Sequence, residues 1–116
     1  MCGLAGFLEP PGTRNPEQAR SYAARMSAAI QHRGPDDDDV WCDADAGIGF
    51  GHRRLSIIAL STHGRQPMQS ESGRFIIAYN GEVYNFPDLR RDLASKGHTF
   101  RGNSDTEVIL AAIEEC

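Results

Sequence analysis

The chain has 116 residues, which is enough for one domain and no more. A hydrophobic share of 40% beside 24% charged residues is that of an ordinary globular protein and excludes a disordered or fibrous one. The net charge of −4 leaves no basic stripe for a nucleic-acid backbone, no apolar run is long enough to span a membrane, and the start lacks the charged-then-apolar pattern of a signal peptide.

The first predicted element, Cys2 to Leu8, is short, apolar and glycine-rich, and reads as a strand buried on at least one face. Gly3 and Gly6 leave room there for another backbone or a ligand. Cys2 adds a chemical possibility. If Met1 is removed, one residue carries both a thiol and a free α-amine. The thiol has an ordinary pKa of about 8.5 and the amine titrates near about 8, so the amine can take the thiol proton directly or through one water. A single cysteine at position 2 also arises by chance, and the rest of the chain has to decide.

Pro10-Pro11-Gly12 breaks the strand. Asn15 is predicted to cap a helix with Pro16 at its first position and Gln18 as the capping-box partner. Ala19, Tyr22, Ala23, Met26 and Ile30 form its buried stripe, and it ends before Gly34-Pro35. The run Asp36-Asp37-Asp38-Asp39 neither alternates its ligands nor supplies the glycine of a calcium loop, so it reads as a solvated loop and no metal site is expected. Val40-Trp41-Cys42 and Ile48 to His52 read as a hairpin turning through Asp45-Ala46-Gly47. Leu55 to Leu60 fits strand or loop.

Phe75 to Tyr79 is a second strong strand, entered from the turn Ser70-Glu71-Ser72-Gly73. It runs into Asn80-Gly81, a pair that makes a tight turn and also presents backbone N–H groups at a strand end. A helix is predicted from Phe86 to Lys96, stopped by Gly97, then a short strand over His98 to Phe100. Ser104 and Glu107 are placed to form a capping box for a last helix, Thr106 to Cys116, with Val108, Ala111 and Ala112 on one face. That helix has no stop signal, so the chain is expected to be part of something longer. The order of elements predicts an α+β domain with mostly antiparallel pairing. Cys2, Cys42 and Cys116 are an odd set without a C-x-x-C spacing, which argues against a disulfide scaffold or a zinc site and fits a reducing cytoplasm.

A thiol attacking a carbonyl needs donors for the developing oxyanion and groups that hold the substrate. The Asn80 side chain and the Gly81 backbone N–H can converge on one oxygen, and losing such a donor costs about 3 to 4 kcal/mol of transition-state stabilisation. Arg54 can clamp an α-carboxylate with two parallel N–H bonds, and Asp105 can accept from an α-ammonium. Each has a plainer reading: a hairpin turn, a surface arginine beside Arg53, a helix cap. Spacing alone does not choose.

Five blocks, taken together, do. They are Met1-Cys2-Gly3 with Gly6; His32-Arg33-Gly34-Pro35-Asp36; Arg54-Leu55-Ser56-Ile57-Ile58 with Gln66-Pro67-Met68; Asn80-Gly81-Glu82-Val83-Tyr84-Asn85; and Ser104-Asp105-Thr106-Glu107-Val108-Ile109-Leu110. In this order they resemble the glutaminase domain of class II glutamine amidotransferases, the N-terminal-nucleophile hydrolases, and within that group the asparagine-synthetase type. The resemblance spans residues 1–116 as one incomplete glutaminase domain, with the downstream synthetase domain absent. It implies an αββα four-layer sandwich, truncated at its C-terminus. It implies that Cys2 is the nucleophile, that Asn80 and Gly81 form the oxyanion hole, and that Arg54, Leu55, Ser56, Ile57, Ile58, Asn80, Gly81, Glu82 and Asp105 bind L-glutamine.

The implied reaction hydrolyses glutamine to glutamate and ammonia through a Cys2 thioester. No cofactor is implied in this domain; ATP and magnesium belong to the synthetase domain, which would amidate aspartate. That domain and a second copy of the chain are the implied protein partners. Ala59 stands where the family usually has an acidic residue, Arg65 where it often has His, and the aspartate run omits a common glycine; none touches the implied nucleophile, oxyanion hole or clamp. The alternatives are an amidotransferase serving another acceptor, or a non-catalytic binding remnant of the fold. For these 116 residues alone, little or no activity is expected, because exposed strand edges would leave them poorly packed.

Overall fold

A computed structural model describes residues 2–35, 37–54, 65–102 and 104–116. The chain folds as α+β with antiparallel sheets. β1 (Gly3–Leu8) and β2 (Asp37–Asp43) flank the central β3 (Ile48–Arg54). The registers run Gly3 opposite Arg53 to Leu8 opposite Ile48, and Asp37 opposite Arg54 to Asp43 opposite Ile48. Between β1 and β2 lies the helix α1 (Pro16–Ala29), continued by a 3-10 turn over Gln31–Arg33. A second sheet consists of β4 (Met68–Gln69) and β5 (Ile76–Ile77), followed by α2 (Phe86–Ser95) and α3 (Asp105–Glu115).

Local signals made the first helix as expected. The Asn15 side chain accepts from the Gln18 N–H at 2.8 Å while the Gln18 side chain accepts from the Asn15 N–H at 3.0 Å, so two otherwise orphaned donors are satisfied. Ala19 and Ala23 are buried against the sheet, and Tyr22 stacks at a tilt on Phe7 with ring centroids 5.1 Å apart. Tyr22, Met26 and Ile30 are only half-buried, and the fully buried position of the stripe is Ser27. The hairpin turns at the predicted place, with Gly47 in the left-handed region at φ 75°.

Alternation sorts the sheet into two faces. Gly3, Ala5 and Phe7 of β1 look toward α1, whereas Leu4, Gly6 and Leu8 share the other face with His52, Phe50 and Ile48 of β3. Trp41 joins that outer face from β2, stacked on Phe50 at 5.8 Å. In the second half, α2 packs on α3, and Leu93 of α2 and Val108 and Leu110 of α3 are buried.

Four expectations need correction. Three of the four aspartates are not a loop: Asp37, Asp38 and Asp39 open β2 and pair with β3 through Arg54, Arg53 and His52, while Asp36 lies outside the described residues. Backbone pairing decides this, and charged side chains are tolerated because β2 is an edge strand. The strand expected over Phe75 to Tyr79 shrinks to Ile76–Ile77, with which, among the described residues, Met68 and Gln69 pair. His98 to Phe100 is not a strand. Ser104 caps α3 by accepting from the Thr106 N–H at 3.1 Å, but the capping box does not close. Glu107 instead accepts from the Arg101 and Gly102 N–H groups at 3.0 and 2.9 Å, two converging donors in place of one. Among the described residues no helix is long and apolar enough to cross a membrane.

Candidate active site

Cys2 immediately precedes β1, and Arg54 is the last residue of β3. Gly3 pairs with Arg53, so Cys2 and Arg54 lie at the same end of the same strand pair. Continuing the alternation by one residue places both with Leu4 and His52 on the face away from α1. The chain segment that follows β5 reaches that face: His52, 3% exposed, has Nε2 3.3 Å from the Tyr79 carbonyl oxygen. Because a carbonyl only accepts, the His52 Nε2 carries the proton in this contact.

One residue further on, the Asn80 side-chain amide donates to the Cys2 carbonyl oxygen at 3.0 Å, across 78 residues of sequence. An Arg33 guanidinium N–H donates to the same oxygen at 3.3 Å. Gly81 is the next residue, and a side chain there has no room. A Cβ would lie 2.6 Å from the Tyr79 phenol oxygen. Glu82 is exposed, and Tyr84 is the most exposed large side chain of the segment.

Asp105, the first residue of α3, is tied to this same segment. Its Oδ2 accepts from the Val83 N–H at 3.0 Å, and Ser104 supplies the side-chain cap that the sequence equally allowed Asp105 to be. The structure therefore brings Cys2 and Asn80 into direct contact, sets Gly81 beside them, and anchors Asp105 two residues past Gly81. Arg54 shares the strand end with Cys2, where it also bridges to Pro35. Leu55, Ser56, Ile57 and Ile58 lie outside the described residues, as does Met1.

Three residues around the site had no assigned role in the sequence. Arg33 contacts Cys2, while His52 and Gln66 hold the Tyr79 peptide from opposite sides. Their sequence signal was their membership of the matching blocks, or in the case of His52 a charged-type residue at an alternating strand position. A neighbour, Arg53, is 7% exposed and serves structure. Its Nε donates to the Gly34 carbonyl at 3.0 Å and a terminal nitrogen pairs with Asp38 at 3.3 Å.

Among the described residues no group of three or more His, Cys, Asp or Glu side chains could hold a metal ion. A polar cavity of about 550 Å³ lies elsewhere, between the β4–β5 turn and α3, and none of Cys2, Asn80 or Asp105 lines it. On its wall, a hydrogen bond from Ser72 holds the Glu114 carboxyl below its usual pKa. Cys2, Cys42 and Cys116 form no disulfide.

An outer-face cysteine at the start of a strand is thus met by an Asn-Gly pair and a helix-start aspartate. The chain belongs to the family of glutamine amidotransferase domains, whose model matches residues 1–116. It is 41% identical over 111 residues to an asparagine synthetase (glutamine-hydrolyzing) of Bacillus subtilis, covering 96% of this chain and 17% of that protein. A putative asparagine synthetase (glutamine-hydrolyzing) of Mycobacterium bovis is 39% identical over 122 residues, covering 96% of this chain and 19% of the relative. Amidase chry2 of Gibberella zeae is 37% identical over 118 residues, again covering 96% and 17%. The chain thus spans less than a fifth of the length of each of these relatives.

Proposed function

We propose that this domain hydrolyses glutamine to glutamate and ammonia, with Cys2 as nucleophile and its own α-amine, freed by loss of Met1, as base. The observation that carries the reading is the hydrogen bond from Asn80 to Cys2, which joins the two ends of the predicted machinery. The chemistry follows from the groups present. The Cys2 α-amine takes the thiol proton, and the thiolate adds to the side-chain amide carbon of glutamine. The carbonyl oxygen becomes an oxyanion. An Asn amide has two N–H donors, so Asn80 can hold the Cys2 carbonyl with one and meet the oxyanion with the other, alongside the Gly81 backbone N–H.

As the carbon–nitrogen bond breaks, the α-ammonium returns its proton to the leaving nitrogen, and ammonia departs from a Cys2 thioester. A water molecule, deprotonated by the same amine, then adds to the thioester and releases glutamate and the thiol. Arg54 pairs with the substrate α-carboxylate. Asp105 pairs with its α-ammonium through the carboxylate oxygen not used by Val83. Leu55 to Ile58 and Glu82 complete the glutamine pocket. An antiparallel sheet covered on one face by α1 and open on the other fits one half of a four-layer sandwich.

The destination of the ammonia is read from the relatives. That relatives with a matching segment are named asparagine synthetases supports aspartate as the acceptor; the ATP- and magnesium-dependent domain and the cytoplasmic setting rest on the family resemblance alone. Substituting Cys2 tests the central step. In the intact protein that carries this domain, Cys2→Ala is expected to release no glutamate above background, and turnover equal to the parent would overturn the reading.

A further inference from the structure

We infer that Gln66 is a positioning residue of this centre, whose side-chain amide sets Asn80 against Cys2 by fixing the Tyr79 peptide to the start of α3. The inference rests on the function proposed above. Its starting point is the stretch of backbone just past β5. β5 ends at Ile77, and among the described residues Ala78, Tyr79 and Asn80 have no strand partner. A polar backbone in such a segment needs partners from elsewhere.

Tyr79 has them on both sides. Its N–H donates to Gln66 Oε1 at 2.5 Å, and its carbonyl accepts from His52 at 3.3 Å. The other end of the Gln66 amide, Nε2, donates to the Thr106 hydroxyl at 3.2 Å. Thr106 is 2% exposed and is the neighbour of Asp105, which takes the Val83 N–H. The segment 79–83 is therefore fastened to the first turn of α3 twice: at one end through Gln66 and Thr106, at the other through Asp105. Asn80 and Gly81 sit between the two fastenings.

A carboxamide carries an acceptor and a donor on one planar group, and Gln66 uses the first for the Tyr79 N–H and the second for the Thr106 hydroxyl oxygen. The orientation of the amide follows from its partners, because the Tyr79 N–H can only donate. If Gln66 is lost, Tyr79 keeps the His52 contact but can swing about it, and the Asn80 side chain moves with the peptide that carries it. A displacement of about 1 Å at a reacting group can cost about a hundredfold in rate.

A double-mutant cycle on the intact protein separates this role from plain support of the fold. Gln66→Leu is expected to lower kcat about 10- to 100-fold, with a smaller rise in KM for glutamine. In an Asn80→Ala background the same change is expected to lower kcat by less than about threefold, because the group it positions is gone. Full kcat in Gln66→Leu, or the same fold-loss in both backgrounds, would overturn the inference. If Gln66→Leu does not fold, Gln66→Asn completes the cycle, since one methylene less cannot span Tyr79 and Thr106 together. Failure of the underlying function has a different signature: glutamate release retained in Cys2→Ala, whatever Gln66 does.

Discussion

The two halves of the domain are held by different means. In the first, β1, β3 and β2 form an unbroken ladder over six and seven residues per strand, closed on one face by α1. In the second, the only ladder among the described residues is the pair Met68–Gln69 with Ile76–Ile77, and the connecting segments are fixed by side chains reaching backbone: Gln66 to Tyr79, Asp105 to Val83, Glu107 to Arg101 and Gly102, Arg90 to Gly102. The proposed machinery straddles the junction. Cys2 and Arg54 end strands of the regular half, while Asn80, Gly81 and Asp105 belong to the side-chain-braced half. In the proposed reading, the regular half fixes the nucleophile and the braced half fixes the donors. Substitutions should divide accordingly, into losses of stability on one side and losses of turnover on the other.

The largest expected effect tests that division on the braced side. Asn80→Ala should lower kcat for glutamine hydrolysis by about 10² to 10³, worth about 3 to 4 kcal/mol, while leaving the denaturation midpoint near that of the parent because Asn80 is exposed. A matching loss of stability would blur the comparison. On the regular side, Gly47→Ala should do the reverse. It combines a left-handed backbone with a methyl driven into the Glu9 carbonyl oxygen, and should cost about 3 kcal/mol in urea unfolding. Turnover by the molecules that remain folded should be unchanged.

Asp105→Asn sharpens the account of the junction. The amide oxygen can still accept from Val83, but the charge facing a substrate ammonium is gone, so kcat/KM should fall by roughly tenfold or more, chiefly through KM. An unchanged KM would leave Asp105 with only its structural bond. The smallest effect concerns the regular half. Among the described residues the buried Ser27 hydroxyl finds no hydrogen-bond partner. Ser27→Ala should therefore leave stability unchanged or raise it by about 1 kcal/mol in the same unfolding measurement.

What could be read from the sequence divides along the same line. The cap and glycine signals at Asn15, Gln18, Gly47, Ser104 and Gly97 act within a few residues, and the elements they bound were legible: β1, α1, the hairpin turn, α2 and α3. The start of β2 was not, because what draws three aspartates into a strand is the partner strand, not their own propensity. Phe75 to Tyr79 showed the converse, a strong local strand signal of which only Ile76 and Ile77 are paired among the described residues. In the site, Cys2, Asn80, Gly81 and Asp105 could be named because a pattern of blocks singled them out, although no spacing rule predicts a bond across 78 residues. Gln66, His52 and Arg33 act by bonding distant backbone atoms, and such contacts leave no periodicity or motif of their own.

The central claim is that Cys2, as a free N-terminal residue, is the nucleophile, and intact-mass and peptide-mass analysis after reaction with a diazoketone analogue of glutamine tests it most directly. The account predicts a single adduct, on Cys2, in a terminal peptide that lacks Met1, with formation blocked by excess glutamine. An adduct on Cys42 or Cys116 instead, or a Cys2 adduct in a peptide that still carries Met1, would contradict it.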